Sequence, residues 1–356
     1  MSCYHPLKGF AIGTTAAGKT DYKITGYLVD HVELCNGKWE VNHFPTASSR
    51  ATRVVRDFIE VPCGQCLGCR LDYSRQWANR CMLELEYHDV AWFVTLTYND
   101  EHLPMSAYGD PDTGEAYDCY TLDKRDFQLF MKRLRKAFPD DQIRYYACGE
   151  YGSKGFRPHY HAIIYGLHFD DLVPWEKTPQ GHVLYRSQKL ENVWSIFHPG
   201  GKNYDAWYES LGFVRVAEVT WETCAYVARY IMKKQKGSDA DFYDMHNIIP
   251  EFTLMSRKPG IARQWYDDHP DLYDFEYINL KTDTGGLKFK PPRYYDKLFD
   301  IDQPERMAEI KAIRKRLAED ATKAKLQKTN LTYLEYLEVE ERNKQNAVKS
   351  LERRLV

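Results

Sequence analysis

The hydrophobic pattern of the chain predicts alternating helices and strands in its central part. Apolar residues recur at three- and four-residue steps through LDYSRQWANRCMLELEYH (71–88), which indicates an amphipathic helix. The next segment, VAWFVTLTY (90–98), is rich in β-branched and aromatic residues and predicts a strand. A long loop with prolines, glycines and aspartates is expected over 99–120, and a second amphipathic helix over 122–138.

Two further strands and a third helix complete this pattern. IRYYACGEYG (143–152) and RPHYHAIIYG (157–166) predict two strands joined by a tight turn, and a helix is predicted over 222–236. The order strand, helix, strand, strand, helix predicts an α+β fold, an antiparallel sheet with flanking helices. We divide the chain into four parts: a strand and loop segment at 1–60, a core at 61–240, an irregular segment rich in Tyr, Asp and Pro at 241–300, and a charged C-terminal helical extension at 301–356.

Composition excludes several classes of protein. Hydrophobic residues make up 43% and charged residues 28%, as in soluble globular proteins, and no apolar run reaches the length of a membrane span. The start, MSCYHPLKGF, lacks the apolar core of a signal peptide, and nine cysteines are an odd number, so we expect reduced thiols in a cytoplasm. A net charge of −2 carries no general signature of nucleic-acid binding, so such a function must depend on a local site.

The strongest local signal is a His-x-His strand that follows a glutamate. His159 and His161 project from the same side of their strand because side chains alternate. If the turn at 152–155 folds the strands so that paired residue numbers sum to about 309, Glu150 lies directly opposite His159. Two imidazoles and a carboxylate leave open positions on a divalent metal, and Mg²⁺ or Mn²⁺ is favoured if the substrate is a phosphate. The alternative is a pair of surface histidines without a metal.

Two tyrosines lie four residues apart on the third predicted helix. Tyr226 and Tyr230 share one helix face in WETCAYVARYIMKKQKG, and Lys233 follows on that face. Tyrosine is a poor nucleophile at its usual pKa of about 10. A nearby ammonium and a metal-bound phosphate would favour the phenolate. The alternative is that one tyrosine belongs to the core.

Together these motifs resemble those of HUH endonucleases, which are rolling-circle replication initiators. FVTLTY (93–98), PHYHAII (158–164) and YVARYIMKK (226–234) occur in the motif order of that family. The paired tyrosines and the preceding VPCGQCLGCRLDYSRQWANRC (61–81) resemble the replication initiators of small single-stranded DNA phages, in the gokushovirus branch of the microviruses. The resemblance covers roughly residues 60–240.

The resemblance implies a ferredoxin-like or RRM-like sandwich that nicks and rejoins single-stranded DNA at an origin. A tyrosine, Tyr226 or Tyr230, would hold the 5′-phosphate of the cut strand and leave a free 3′-OH, with Lys233 beside it. The metal on the glutamate and the two histidines would polarise the scissile phosphate. Host replication proteins, a helicase and a polymerase, would be the partners in the bacterial cytoplasm.

A cysteine-rich segment precedes the first helix. Cys63, Cys66 and Cys69 follow the spacing C-x-x-C-x-x-C, which suits a structural Zn²⁺ ion with a fourth ligand from elsewhere. Cys81 on the following helix is the expected fourth ligand, and Cys3 lies at the start of the chain. An iron–sulfur loop has similar spacing but places its fourth cysteine differently, and ordinary thiols are the remaining alternative.

Two weaker signals concern phosphate binding. GTTAAGKT (13–20) matches the phosphate-binding pattern G-x-x-x-x-G-K-[ST], but the residues after it alternate like a strand, so a turn between strands is favoured. Basic residues near the predicted metal site would give DNA a local positive track despite the neutral total charge. They are Lys154, Arg157, Arg229 and Lys234.

Two other functions stay open from the sequence. A non-haem iron oxygenase also uses two histidines and a carboxylate, but usually as His-x-Asp/Glu with a distant histidine. A non-catalytic nucleic-acid-binding module would keep the sheet, but the metal triad and the tyrosine helix would then be accidental.

Overall fold

The chain divides into two compact units in a computed structural model. The model describes residues 3–16, 18–110, 112–153, 155–178, 181–202, 204–229, 234, 240–282 and 285–352. The terminal unit comprises Met1–Asp72 and Glu305–Val356, and the central unit comprises Tyr73–Pro304. Among the described residues, no helix is both long enough and apolar enough to cross a membrane.

The terminal unit contains two small antiparallel sheets, one with the strand order β2-β1-β6 and one with the order β4-β3-β5. These strands are β1 (Leu7–Thr14), β2 (Thr20–Gly26), β3 (His31–Cys35), β4 (Lys38–Asn42), β5 (Ala51–Val55) and β6 (Phe58–Val61). Thr14 of β1 pairs with Thr20 of β2, so GTTAAGKT connects two paired strands. This confirms the predicted turn, because a phosphate-binding loop would lead into a helix.

A seven-stranded antiparallel sheet, with the order β12-β13-β16-β7-β11-β10-β17, organises the central unit and confirms the predicted α+β fold. The strands of this unit are β7 (Ala91–Thr97), β8 (Met105–Gly109), β9 (Ala116–Tyr120), β10 (Arg144–Tyr151), β11 (Pro158–Tyr165), β12 (Val173–Lys177), β13 (Val183–Arg186), β14 (Ser195–His198), β15 (Trp207–Ser210), β16 (Val214–Glu218), β17 (Phe252–Met255), β18 (Ile278–Thr282) and β19 (Gly285–Phe289). The pairs β8–β9, β14–β15 and β18–β19 form separate hairpins.

The first two predicted helices agree with the structure to within a few residues at each end. The helices are α1 (Leu67–Leu85), α2 (Lys124–Ala137), α3 (Gln188–Val193), α4 (Trp221–Arg229), α5 (Asp241–Met245), α6 (Arg263–Asp268), α7 (Arg293–Asp302), α8 (Pro304–Leu326) and α9 (Tyr333–Glu352), with a short 3₁₀ helix at Leu272–Asp274. The third predicted helix begins as α4. Most of its second half lies outside the described residues.

Two segments that were predicted to lack regular structure contain strands. The expected loop at 99–120 includes the β8–β9 hairpin, and the expected irregular segment at 241–300 includes β17 at the edge of the central sheet. Strand β17 has the sequence FTLM, which is too short to show a clear polar and apolar alternation. These two expectations were wrong because pairing with a neighbouring strand overrides a weak local signal.

Helices cover the two faces of the central sheet. On one face, the apolar stripe of α2, which includes Phe127 and Leu134, packs against strand residues such as Val94 and Ala162. On the other face, Trp77 of α1 stacks on Tyr146 of β10 with ring centroids 4.8 Å apart. Helix α4 packs against β10 and β11, the two central strands that carry the predicted metal ligands.

Candidate active site

The hairpin register brings the predicted metal ligands together. Strand β10 pairs with β11 so that Glu150 lies opposite His159 and Cys148 lies opposite His161, which is the register predicted from the length of the turn. Residues directly opposite in an antiparallel pair project from the same face, and so do residues two apart on one strand. The carboxylate and both imidazoles therefore project from one face of the sheet.

Both histidines direct Nε2 at the same carboxylate oxygen. The Oε1 atom of Glu150 lies 2.6 Å from Nε2 of His159 and 3.3 Å from Nε2 of His161. The ligand atoms of all three residues lie within 4.8 Å of one another. This separation allows one small cation to contact all three side chains.

The opposite ring nitrogens are held by second partners. Nδ1 of His159 lies 3.1 Å from the carbonyl oxygen of Arg157, which can only accept a hydrogen bond. Nδ1 of His161 lies 2.9 Å from the hydroxyl oxygen of Thr95, and the His161 ring stacks on Phe93. Such partners fix the orientation of metal-binding imidazoles.

Charge in this site is set by burial and by the histidines. Burial raises the pKa of Glu150, which is only 1% exposed, but hydrogen bonds from His159 and His161 outweigh burial and bring the pKa to about 2. Glu150 is therefore a carboxylate at neutral pH. Its negative charge makes the site favourable for a cation.

The donor set fits a divalent metal ion. Both ring nitrogens of His159 face acceptors, the Arg157 carbonyl at Nδ1 and the Glu150 carboxylate at Nε2, so a positive charge between Nε2 and the carboxylate satisfies both. A metal ion can take the place of that proton. Two imidazoles and one carboxylate leave other coordination positions open for a substrate oxygen.

Helix α4 begins with a reciprocal pair of threonines. The backbone N–H of Thr220 donates to the Thr223 hydroxyl at 2.8 Å, and the N–H of Thr223 lies 3.3 Å from the Thr220 hydroxyl. This is the arrangement of a capping box, and it explains why the helix begins at Trp221. Cys224, Val227 and Ala228 then form its buried stripe.

Most of the predicted tyrosine and DNA-binding residues fall where the structure gives no side chain. Tyr226 and Arg229 belong to the backbone of α4, but their side chains lie outside the described part of the chain. Tyr230, Lys233 and Lys154 lie wholly outside the described residues, and Lys234 is described as half-buried. The roles of these residues stay predictions.

Arg157, which was predicted to contact DNA, is engaged with its own neighbours. Its guanidinium forms an ion pair with Asp100 and donates to the carbonyl oxygen of Tyr98 at 3.1 Å. These contacts tie the β10–β11 turn to the end of β7. A DNA contact by Arg157 stays a prediction.

Sequence reasoning missed a basic and aromatic groove beside the metal ligands. Arg215 lies opposite Thr95, and Thr95 lies opposite His161, so Arg215 projects from the same face two strands away, at about 10 Å. The guanidinium groups of Arg186 and Arg215 lie 3.9 Å and 5.1 Å from the ring centroid of Trp175. These three residues and the exposed Phe213 line one groove. The alternation in VRVAE, with arginine between two buried valines, is the signal that could have revealed Arg215.

The structure corrects the predicted set of zinc ligands. Cys63, Cys66 and Cys69 cluster with Cys3, and all four sulfur atoms lie within 4.8 Å of one another. Cys81, the expected fourth ligand, lies twelve residues beyond Cys69 on α1, which corresponds to about 18 Å along the helix. It is fully buried in the central unit.

Comparison with known proteins identifies the family. A family model described as replication-associated protein ORF2 matches residues 91–235. The chain is 31% identical over 302 residues to the replication-associated protein ORF2 of Spiroplasma virus 4, covering 83% of this chain and 85% of that protein.

Two further relatives come from other phages. Identity is 29% over 273 residues to the replication-associated protein VP4 of Bdellovibrio phage phiMH2K, with 72% and 74% of the two chains covered. It is 28% over 316 residues to the replication-associated protein ORF4 of Chlamydia phage 1, with 84% and 69% covered. No solved structure is significantly similar to the chain. The chain therefore belongs to the family of phage replication-associated proteins, as its motifs had indicated.

Proposed function

We propose that the protein nicks one strand of a phage genome and later rejoins it, which starts and ends rolling-circle replication. The family assigns the protein a role in phage replication. The observation that carries the proposal is the pairing of Glu150 with His159, which gathers a carboxylate and two imidazoles on strands that α4 packs against. The segment matched by the family, 91–235, includes these strands and also Tyr226 and Tyr230.

The protein side chains would hold and orient a divalent cation. Glu150 supplies a negative charge, since its pKa is about 2, and His159 and His161 supply Nε2 nitrogens. The Thr95 hydroxyl and the Arg157 carbonyl hold the rings in place. When bound, Mg²⁺ or Mn²⁺ would withdraw charge from the oxygens of the scissile phosphate.

The chemical step in this proposal is a transesterification. The phenolic oxygen of Tyr226 or Tyr230 loses its proton and forms a bond to phosphorus, while the bond between phosphorus and the 3′ oxygen breaks. The 3′ oxygen takes up a proton, which we assign to the ammonium of Lys233. In the joining step a 3′-OH attacks the phosphotyrosine, loses its proton, and releases the tyrosine as a phenol. No water and no nucleotide cofactor is consumed.

The groove of Trp175, Arg186, Phe213 and Arg215 supports single-stranded DNA as the substrate. Guanidinium groups attract phosphates, and exposed aromatic rings stack on unpaired bases. Trp175 is 42% and Phe213 is 63% exposed. The free 3′-OH left by the nick would serve a host polymerase, with a host helicase separating the strands.

The test is the formation of a covalent protein–DNA adduct. Labelled single-stranded fragments of the phage genome that encodes this chain are incubated with the full-length protein and Mn²⁺, and the adduct is detected by denaturing gel electrophoresis. We expect the adduct with one fragment and a 3′-OH product of matching length. The Tyr226→Phe/Tyr230→Phe variant should give no adduct, whereas Tyr204→Phe, at an exposed tyrosine without a proposed role, should behave like wild type.

The metal requirement has its own variants. His161→Ala should lose most of the nicking, and His182→Ala should retain it because His182 is an exposed histidine away from the site. Adduct formation in excess EDTA, or undiminished nicking by His161→Ala, would contradict the proposed role of the metal. DNA binding without any adduct would reduce the protein to a binding module.

A further inference from the structure

Four cysteine sulfurs converge in the terminal unit. Sγ of Cys3 lies 4.0 Å from Sγ of Cys66, and Sγ of Cys63 lies 4.0 Å from Sγ of Cys69. All four sulfur atoms lie within 4.8 Å of one another. We call these four residues the cysteine cluster.

Strand pairing explains why residues sixty positions apart meet. Strand β1 begins four residues after Cys3, and β6 ends two residues before Cys63. Leu7 of β1 pairs with Val61 of β6, so the two chain segments leave the same end of one antiparallel ladder side by side. The start of α1 then brings Cys66 and Cys69 back to this point.

The distances between the sulfurs match one shared ion and exclude disulfides. A disulfide bond is about 2.05 Å long, half the separations seen here, and all nine cysteines are free thiols. Four sulfurs at about 2.3 Å from a central zinc ion stand about 3.8 Å apart in a regular tetrahedron. An iron–sulfur cluster would hold its cysteines farther apart, because several iron atoms lie between them.

Backbone N–H groups point at the sulfurs. The N–H of Cys63 donates to Cys3 at 3.3 Å, and the N–H of Tyr4 donates to Cys66 at 3.3 Å. Cys63 itself accepts from the N–H groups of Gln65 and Cys66 at 3.4 Å and 3.3 Å. Such donors stabilise a thiolate.

The turn between the first two cysteines of the motif depends on glycine. Gly64 has φ +74°, a left-handed conformation that directs the following N–H groups back towards Cys63.

One member of the cluster already favours the thiolate. A hydrogen bond from the Cys3 thiol lowers the pKa of Cys66 to about 3, although burial opposes this. Burial raises the pKa of Cys69 to about 11, so this thiol keeps its proton until a cation arrives. A divalent ion would displace the remaining protons.

We propose that Cys3, Cys63, Cys66 and Cys69 bind one structural Zn²⁺ ion. Four thiolates fill all positions of tetrahedral zinc and leave none for a substrate, so the ion would be structural. It would fasten residue 3 and the end of the β1–β6 ladder to the first turn of α1. This site is independent of the proposed nicking activity.

The first test counts metal in purified full-length protein. The protein carries His161→Ala to remove the other candidate metal site, and it is passed through a column in EDTA before elemental analysis. We expect about one zinc per chain. Cys3→Ser and Cys66→Ser should lose it, and Cys81→Ala and Cys35→Ala should keep it because these buried cysteines lie outside the cluster.

A second test uses the wild-type chain and does not depend on whether the variants fold. The native protein is alkylated with or without a strong zinc chelator, and each cysteine is read by peptide mass spectrometry. Cys3, Cys63, Cys66 and Cys69 should be protected until the chelator is added, whereas the reactivity of half-buried Cys119 should not change.

Several outcomes would overturn the proposal. A chain without zinc and with four cysteines equally reactive in both conditions has no metal site. Stoichiometric iron and sulfide would replace zinc by an iron–sulfur cluster. Zinc that survives Cys3→Ser but is lost in Cys81→Ala would restore Cys81 as the fourth ligand.

Discussion

Glu150 and His159 face each other across the β10–β11 ladder, and their Oε1 and Nε2 atoms lie 2.6 Å apart. The same carboxylate oxygen also lies 3.3 Å from Nε2 of His161. One buried charge is therefore shared by two rings, and each ring is held at its other nitrogen by the Arg157 carbonyl or the Thr95 hydroxyl. The acid, the rings and their supports form one unit whose parts can be changed separately.

The pH dependence of stability should report the Glu150 carboxylate. Its pKa falls from an ordinary 4.5 to about 2 in the folded protein, since hydrogen bonds from the histidines outweigh burial. A depressed pKa contributes stability that is complete above pH 4.5 and is lost as the pH falls towards 2. In EDTA, the difference in unfolding free energy between wild type and Glu150→Gln should therefore shrink between pH 4.5 and 2.

Urea unfolding at several pH values measures this difference. Glu101→Gln, which alters an exposed carboxylate of the same unit, is the control for lost charge. A wild-type minus Glu150→Gln difference that stays constant from about pH 6 to about pH 2 would show that Glu150 has an ordinary pKa.

Thr95 should tune metal affinity without touching the metal. Its hydroxyl lies 2.9 Å from Nδ1 of His161, so Thr95→Val removes the partner that orients the ring and keeps the shape of the side chain. Losing such a partner typically weakens metal binding by about 10- to 100-fold. We expect this loss for Mn²⁺ in calorimetry, and recovery in Thr95→Ser. Equal affinities in all three proteins would mean that packing on Phe93 alone orients His161.

The sequence predicted the metal ligands because their contacts are local. A hairpin of known turn length fixes its own register, and side-chain alternation then decides the face, so Glu150, His159 and His161 could be placed together. The amphipathic stripe of α2 was equally clear because it depends only on helical spacing.

The features that sequence reasoning missed depend on long-range pairing. Cys3 joins the cysteine cluster because β1 pairs with β6, and no local pattern announces that pairing. Cys81 looked suitable because it is near in sequence, but the rigid rise of α1 carries it away from Cys69. The sharing of one unit by Met1–Asp72 and Glu305–Val356 is likewise a property of tertiary contacts.

The basic and aromatic groove should account for part of the salt dependence of DNA binding. Each phosphate contact on a single strand contributes about −0.7 to the slope of log Kobs against log salt. Arg186→Ala/Arg215→Ala should therefore make the slope less steep by about 1.4. The matched control is Arg125→Ala/Lys132→Ala, which removes two exposed charges from α2 on the opposite face of the sheet.

Trp175 should contribute by stacking instead of by charge. Trp175→Ala should weaken binding of an unpaired oligonucleotide by about 1–3 kcal/mol, with little change in the salt slope. Fluorescence anisotropy at several salt concentrations measures both quantities. If the α2 control lowers the slope as much as the groove variant does, the DNA does not follow this groove.

The two tyrosines should divide the cleavage steps, and the residue three positions after each one gives the reason. Lys233 follows Tyr230, whereas Arg229 follows Tyr226. An ammonium can give its proton to the leaving 3′ oxygen, while a guanidinium stays protonated at any relevant pH. A matched general acid contributes about a hundredfold or more to the rate. Tyr230 should therefore make the initiating cut better than Tyr226.

The measurement is the rate of first nicking by each single Tyr→Phe variant on the same oligonucleotide. Tyr230→Phe should be slower than Tyr226→Phe by at least about tenfold, which corresponds to roughly 1.4 kcal/mol in the barrier. Lys233→Met should slow the first cut and bring the two Tyr→Phe variants closer together. Equal rates of the two variants with Lys233 intact would mean that Lys233 serves both phenols. A slower Tyr226→Phe would reverse the assignment, because the residue followed by arginine would then start replication.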